Sequence, residues 1–223
     1  MSQSFGARIP TQNLSLLFDP VNPKSYRGSG TTIYDLSGNG NNGTLVGNPT
    51  FTNGYMVYDG TDDQIDVTSN QTSLDFSSEQ TLIIWMWHTY TSGRKNPYNQ
   101  AYGGYGTWTH ENGATISSYV GDSGANASPY IGGASASTPT STWQMMATAR
   151  NTVDRRWYRN GVLSATTAHS YGTLTTTTAN ITFGTGYAGR WVGRMGPMIL
   201  YKRAISADEM LQIFSAYRHR FGV

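Results

Sequence analysis

The chain has 223 residues, of which only 13% are charged, and its formal net charge is +2. So small a charge argues against a nucleic-acid binder that neutralises many phosphates. The absence of cysteine excludes a disulfide framework and a thiolate metal site. No apolar run is long enough to span a membrane, and residues 1–10 lack a signal-peptide core, so we expect synthesis in a cytosol without export.

Short hydrophobic runs with strand periodicity occur along most of the chain. In chain order they are Leu14–Phe18, Tyr55–Tyr58, Ile65–Val67, Thr81–Trp87, Trp143–Arg150, Arg155–Arg159, Val162–Leu163, Ile181–Phe183 and Met198–Tyr201. Thr81–Trp87 is apolar at almost every position, which predicts a central strand covered on both faces. All-β domains of this length are commonly one unit, so we predict a single domain over residues 1–223 with an N-terminal arm at residues 1–13.

Two turn sequences predict hairpins. Asp59–Asp63 joins the second run to the third, and Asn160-Gly161 separates Arg155–Arg159 from Val162–Leu163. Asn-Gly is a strong hairpin signal because both residues tolerate the positive φ of a type I′ turn. Residues 88–114 contain five glycines and scattered aromatic residues without a regular period, which predicts a long irregular insertion.

A single segment is typical of a helix. Ser206 and Glu209 have the spacing of a capping box, in which each side chain bonds the backbone N–H of the other residue. One face then carries the apolar residues Met210, Ile213, Phe214 and Tyr217. The sequence therefore predicts a C-terminal helix over residues 206–221 that packs on the sheets.

Five motifs, in this order, resemble the laminin-G-like branch of the concanavalin-A-like lectin and glucanase superfamily. They are Asp35–Leu45, Tyr58–Asp63, Thr81–Trp85, Trp157–Gly161 and Tyr201–Glu209. The resemblance implies an all-β fold: a two-sheet antiparallel jelly-roll sandwich with one C-terminal helix.

The flanking segments resemble a narrower group. Residues 18–31 and 217–222 are similar to those of stand-alone laminin-G-like proteins of tailed bacteriophages. This resemblance implies a virion surface location and a structural role as a capsid decoration, with the major capsid protein or a fibre protein as partner. A tail-fibre adhesin, a bacterial carbohydrate-binding module and a degenerate hydrolase are the alternatives.

The residues predict no catalytic site. The chain has three glutamates, Glu79, Glu111 and Glu209, and none lies in the alternating carboxylate pattern that glucanases of this superfamily carry on one strand. The four histidines lack metal-ligand spacing, and no serine lies in a nucleophile elbow. We therefore expect a non-enzymatic protein without a cofactor.

Calcium is the one metal for which the chain offers candidate ligands. Asp59, Asp62 and Asp63, together with Asp35, lie in turn sequences rich in glycine and asparagine. Calcium takes oxygen ligands from carboxylates and loop carbonyls. The alternative is that these side chains cap their own turns through Asx hydrogen bonds.

The aromatic segment of residues 94–110 is the candidate recognition surface. Its candidate contact residues for a glycan or a protein partner are Arg94, Tyr98, Tyr102, Tyr105, Trp108 and His110. Tyrosine and tryptophan rings offer area for stacking on sugars, but they are also enriched in protein interfaces. Glycan contact, subunit contact and plain packing remain open.

Charge is distributed unevenly along the chain. Residues 1–80 hold three basic and eight acidic side chains, whereas residues 190–223 hold six basic and two acidic ones. One interpretation is that these charges are scattered over solvated loops. The other is a contact between oppositely charged surfaces in a homo-oligomer or symmetric array, with Arg218 and Arg220 as interface candidates.

Overall fold

The structure is a computed structural model that describes residues 8–70, 72–100, 106–120, 131–169 and 172–223. Within these residues the strands are β1 (Leu14–Phe18), β2 (Thr32–Ile33), β3 (Gly43–Val46), β4 (Thr50–Thr52), β5 (Tyr55–Asp59), β6 (Gln64–Val67), β7 (Gln80–Trp87), β8 (Arg94–Gln100), β9 (Gly106–Glu111), β10 (Thr115–Val120), β11 (Ile131–Ser137), β12 (Gln144–Arg150), β13 (Asp154–Arg159), β14 (Val162–Ala168), β15 (Ile181–Phe183) and β16 (Val192–Tyr201). Helix α1 spans Ala207–Tyr217, and a 3₁₀-helix follows at Arg218–Arg220.

The strands form two antiparallel sheets packed face to face. Sheet A has the order β14-β13-β12-β7-β16-β5-β4, with β1 also paired to β16. Sheet B has the order β11-β10-β9-β8-β15-β6-β3-β2. The prediction of an all-β, two-sheet jelly-roll sandwich with one C-terminal helix is confirmed.

The predicted central strand lies where its composition requires. β7 pairs with β12 on one side and β16 on the other. Leu82, Ile84 and Met86 belong to the core between the sheets, whereas Ile83 and Trp85 belong to the core beneath the helix. The strand is apolar on both faces because each face packs against another layer.

Helix α1 begins with the predicted capping box. The Glu209 N–H donates to Ser206 Oγ at 3.2 Å, and the Ser206 N–H donates to Glu209 Oε2 at 3.0 Å. The apolar face packs on sheet A, where the Phe214 ring stacks on Trp85 with centroids 5.8 Å apart. In the described part of the chain, no helix is both long and apolar enough to cross a membrane.

The predicted Asn160-Gly161 hairpin is also confirmed. β13 pairs antiparallel with β14, and the turn residues Asn160 and Gly161 have φ values of 51° and 79°. These left-handed conformations fit a type I′ turn, whose twist matches that of the flanking strands.

The predicted hairpin at Asp59–Asp63 is wrong. β5 ends at Asp59 in sheet A and pairs with β16 and β4, whereas β6 begins at Gln64 in sheet B and pairs with β3 and β15. The turn therefore connects the two sheets. Its residues favour a tight change of chain direction, but they do not determine which strand becomes the hydrogen-bonding partner.

The predicted irregular insertion at residues 88–114 is wrong as well. It contains β8 and β9, which pair antiparallel in sheet B, and β9 pairs in turn with β10. Alternation is hidden because polar side chains such as Asn96, Gln100 and Thr109 are themselves buried. Asn96, for example, donates to the Trp108 carbonyl at 2.9 Å.

Candidate binding site

The structure buries three of the six candidate contact residues of the aromatic segment and leaves Arg94 at the surface. Tyr98, Trp108 and His110 are buried in the interior, so they are not available to a surface ligand. Tyr98 Oη accepts from Gln80 Nε2 at 3.1 Å, which shows how its polar group is satisfied inside the core. For these three residues the burial favours plain packing among the three interpretations left open by the sequence. Tyr102 and Tyr105 lie outside the described residues.

Arg94 is at the surface, where its side chain is 42% exposed. It binds the Glu111 carboxylate through Nε and Nη2 at 2.8 and 3.1 Å, and Nη2 also donates to Tyr187 Oη at 2.9 Å. The Glu111 carboxylate raises the pKa of Arg94 above its usual value. The guanidinium thus has partners within the chain and stands beside an exposed tyrosine.

The three candidate calcium ligands lie close together. One carboxylate oxygen from each of Asp59, Asp62 and Asp63 lies within 4.8 Å of the others. Asp59 Oδ1 accepts from the Thr61 N–H and Asp63 Oδ2 accepts from the Asp59 N–H, so two of the three also cap the turn. Burial raises the pKa of Asp63. Asp35 has a structural role elsewhere, since its oxygens accept backbone N–H groups of Leu17, Ser37 and Asn41.

The predicted interface arginines have partners within their own chain. Arg220 Nη1 donates to both oxygens of Asp19, at 3.0 and 2.8 Å, and Asp19 is only 4% exposed. Arg218 Nε donates to the Val223 carbonyl, and its guanidinium lies over the Phe214 ring. The acidic segment of residues 1–80 and the basic segment of residues 190–223 therefore meet within one chain at the Asp19–Arg220 pair.

A site that the sequence analysis missed lies in the loop between β1 and β2. Two adjoining open clefts share Arg27 and Tyr34 as walls. The first, of about 460 Å³, is completed by Pro23 and Lys24. The second, of about 300 Å³, is completed by Ser29, Gly30, Thr31 and Thr32. We call these two cavities the Tyr34 clefts.

Buried and partly buried contacts hold the loop of the Tyr34 clefts in place. Ser25 Oγ donates to the Tyr34 carbonyl at 2.8 Å and accepts from the Asp19 N–H at 3.2 Å. Tyr26 packs edge-on against Phe51, with ring centroids 5.6 Å apart, and its hydroxyl donates to the Gly30 carbonyl at 3.1 Å. Because these contacts fix the backbone on both sides, the cleft walls are preorganised.

The walls of the Tyr34 clefts combine an aromatic ring with positive charge. Tyr34 is 43% exposed, and Lys24 and Arg27 are also exposed. No carboxylate in the described part of the chain forms an ion pair with either cation. One sequence signal could have identified the site. Lys24 and Arg27 lie three residues apart in a segment, residues 1–80, that has only three basic residues and is otherwise acidic.

Two packed antiparallel sheets define a jelly-roll β-sandwich, with two open clefts on the loop between β1 and β2. Residues 59–210 match a laminin-G family model described as the Concanavalin A-like lectin/glucanases superfamily. The chain belongs to this family. No curated protein sequence matches it.

The fold also occurs in solved structures of toxin binding domains. The receptor-binding domain of botulinum neurotoxin C/D mosaic serotype aligns with a TM-score of 0.73 at 13% identity, covering 92% of this chain and 52% of that one. The binding domain of Paraclostridial Mosquitocidal Protein 1 aligns at 0.71 with 17% identity and the same coverage of both chains. The binding domain of botulinum neurotoxin DC in complex with SialylT aligns at 0.71 with 11% identity, again covering 92% and 52%. This chain thus spans about half the length of these neighbours, and the likeness establishes a shared fold.

Proposed function

We propose that the domain is a non-enzymatic, lectin-like module that binds carbohydrate in the Tyr34 clefts. The observation that carries the proposal is an exposed Tyr34 ring that lines both clefts with Arg27, beside Lys24 in one cleft and a loop of hydroxyl and glycine residues in the other. Among the described residues, neither cation forms an ion pair. An aromatic ring offers an apolar face for a sugar, and nearby polar groups fix the orientation of a ligand. Membership of a lectin-containing superfamily and the toxin binding domains of the same fold support it.

The positions of the three glutamates support a non-enzymatic role. Glu111 binds Arg94 and accepts from Tyr119 Oη, Glu79 accepts from the Ala204 N–H, and Glu209 caps the helix while paired with Arg203. Each carboxylate therefore has a structural partner. A glycosidase needs two carboxyl groups facing one cleft across the scissile bond.

Replacing Tyr34 with alanine is expected to weaken carbohydrate binding by about tenfold or more, because the ring supplies the stacking surface. Screening on a glycan array, followed by affinity electrophoresis, measures the effect. The melting temperature should change little, since the side chain is exposed. Tyr187→Ala is the matched control, because Tyr187 is 45% exposed but lies beside Arg94. Loss of binding in the control alone would move the site to the Arg94 surface.

We propose further that the setting of this module is the surface of a phage virion, as a capsid decoration in a homo-oligomer or symmetric array. The support is the resemblance of residues 18–31 and 217–222 to stand-alone phage proteins, together with the uneven charge distribution. A tail-fibre adhesin and a bacterial carbohydrate-binding module are the alternative settings. Mass spectrometry of purified particles tests the location.

If contacts between chains depend on the basic segment of residues 190–223, attachment to particles should loosen as salt rises, because exposed charges are screened beyond about 8 to 10 Å at physiological ionic strength. Arg218→Glu should loosen it further, with Arg8→Glu as the control. Arg220 is unsuitable for charge reversal, because its loss would leave the buried Asp19 unpaired. A monomeric protein that never copurifies with particles would favour the bacterial module.

A further inference from the structure

We propose that the carbohydrate bound in the Tyr34 clefts is an acidic one, whose carboxylate or sulfate groups are held by Lys24 and Arg27. This inference rests on the proposed carbohydrate-binding function and names the class of its ligand. It is based on the charge and geometry of the cleft walls.

Both cations face the same space. Lys24 and Arg27 line the larger cleft together with Tyr34, and Arg27 also lines the smaller one. The two acidic residues nearest along the chain are already engaged. Asp19 binds Arg220, and Asp35 accepts backbone N–H groups of Leu17, Ser37 and Asn41. The positive charge of the cleft is therefore not neutralised by these neighbours.

The two cations suit acidic groups in different ways. The planar guanidinium of Arg27 presents a fork of N–H donors that matches the paired oxygens of a carboxylate or sulfate. The Lys24 ammonium acts as a mobile point charge that adds attraction without a fixed geometry. A neutral sugar would leave both cations without a counter-charge, so an acidic sugar should bind more tightly.

The remaining walls fit the uncharged part of such a ligand. The smaller cleft offers the hydroxyls of Ser29, Thr31 and Thr32, which both donate and accept hydrogen bonds. The exposed Tyr34 ring, which lines both clefts, offers the apolar surface. Because residues 1–80 carry five more acidic than basic side chains, a polyanion without a matching sugar ring should not be attracted strongly.

The test compares polysaccharides that share a backbone and differ in charge. Calorimetric titration uses dextran against dextran sulfate, and methyl-esterified against de-esterified polygalacturonate. The protein is the full chain, in wild-type form and as Arg27→Gln, Lys24→Gln and Tyr34→Ala. Arg8→Gln is the matched control, because it removes one exposed positive charge outside the clefts.

We expect at least one acidic member to bind about tenfold or more tightly than its neutral partner. Arg27→Gln should lower that affinity by about tenfold, Lys24→Gln by a smaller factor, and Arg8→Gln by less than either. High salt should reduce the preference. A preference within the dextran pair identifies sulfate as the group, and one within the polygalacturonate pair identifies carboxylate.

Equal binding of neutral and acidic members, with loss in Tyr34→Ala and none in Arg27→Gln, would overturn this inference and leave the carbohydrate-binding function standing. Single-stranded DNA binding as tightly as the acidic polysaccharides, with no effect of Tyr34→Ala, would also overturn it, because the cleft would then be a general anion patch. Binding of neither member of either pair would overturn the acidic-ligand inference, whereas the glycan array decides the carbohydrate-binding function.

Discussion

Replacing Gly161 with valine is expected to lower the free energy of unfolding by about 2 to 4 kcal/mol. Two costs add. Gly161 has φ of 79°, a region in which a β-branched side chain is strained. A Cβ at this position would also lie 3.0 Å from the Cβ of Phe214 and 3.2 Å from the Cα of Leu211, so it would press against helix α1. Chemical denaturation measures the change.

Gly40→Val is the matched control for this experiment. Gly40 has φ of 74°, but a Cβ there would meet nothing within 4 Å. It therefore carries the backbone strain without the contact with the helix, and we expect a loss of about 1 kcal/mol or slightly more. If Gly161→Val were no more destabilising than Gly40→Val, the turn would not pack against α1.

Lowering the pH from 7 to 5 is expected to reduce the free energy of unfolding by about 2 kcal/mol through His110 alone. His88 and His110 are both buried, and their ring centroids are 4.3 Å apart. Burial, with a smaller contribution from the neighbouring His88, lowers the pKa of His110 from 6.5 to about 3. Burial also lowers the pKa of His88.

The free energy of unfolding falls with falling pH because the unfolded chain binds protons more readily than the folded protein does. Below pH 6.5 the unfolded chain protonates these histidines, whereas the folded protein excludes the proton from His110 until about pH 3. The stability that the neutral ring contributes is therefore fully present above pH 6.5 and is lost as the pH falls toward 3. The neighbours of His110 include the Tyr90 and Trp191 rings, which carry no charge, and the Thr138 hydroxyl, which contacts Nε2.

Urea denaturation between pH 7 and pH 5 tests this prediction in a range where most carboxylates are still ionised. His110→Gln should be less stable at pH 7 but should show a clearly shallower dependence on pH. His219→Gln is the control, because His219 is exposed at the C-terminus. An unchanged slope in His110→Gln would contradict the assignment of the acid sensitivity to the buried pair.

The sequence by itself determined the features that depend on neighbouring residues. The hydrophobic runs predicted strands β1, β7 and β15, because the pattern of apolar residues that marks a strand lies in consecutive positions of the sequence. Asn160-Gly161 predicted its turn because the φ preference belongs to those two residues. The Ser206–Glu209 capping box predicted the start of α1 because both hydrogen bonds span three residues.

The tertiary structure alone decided which strands pair and which side chains remain exposed. The Asp59–Asp63 turn connects the two sheets, because the pairing of a strand depends on residues far away in the chain. Tyr98 and Trp108 are buried for the same reason, since distant strands cover them. The same holds for the binding site. Tyr34 lies on a loop that is anchored by residues distant in sequence, since Tyr26 packs on Phe51 and Asp19 binds Arg220. Its two neighbouring cations form no ion pair with any carboxylate that the structure describes. A local sequence pattern indicates whether a side chain favours burial or exposure, but long-range packing determines where that side chain lies in the fold.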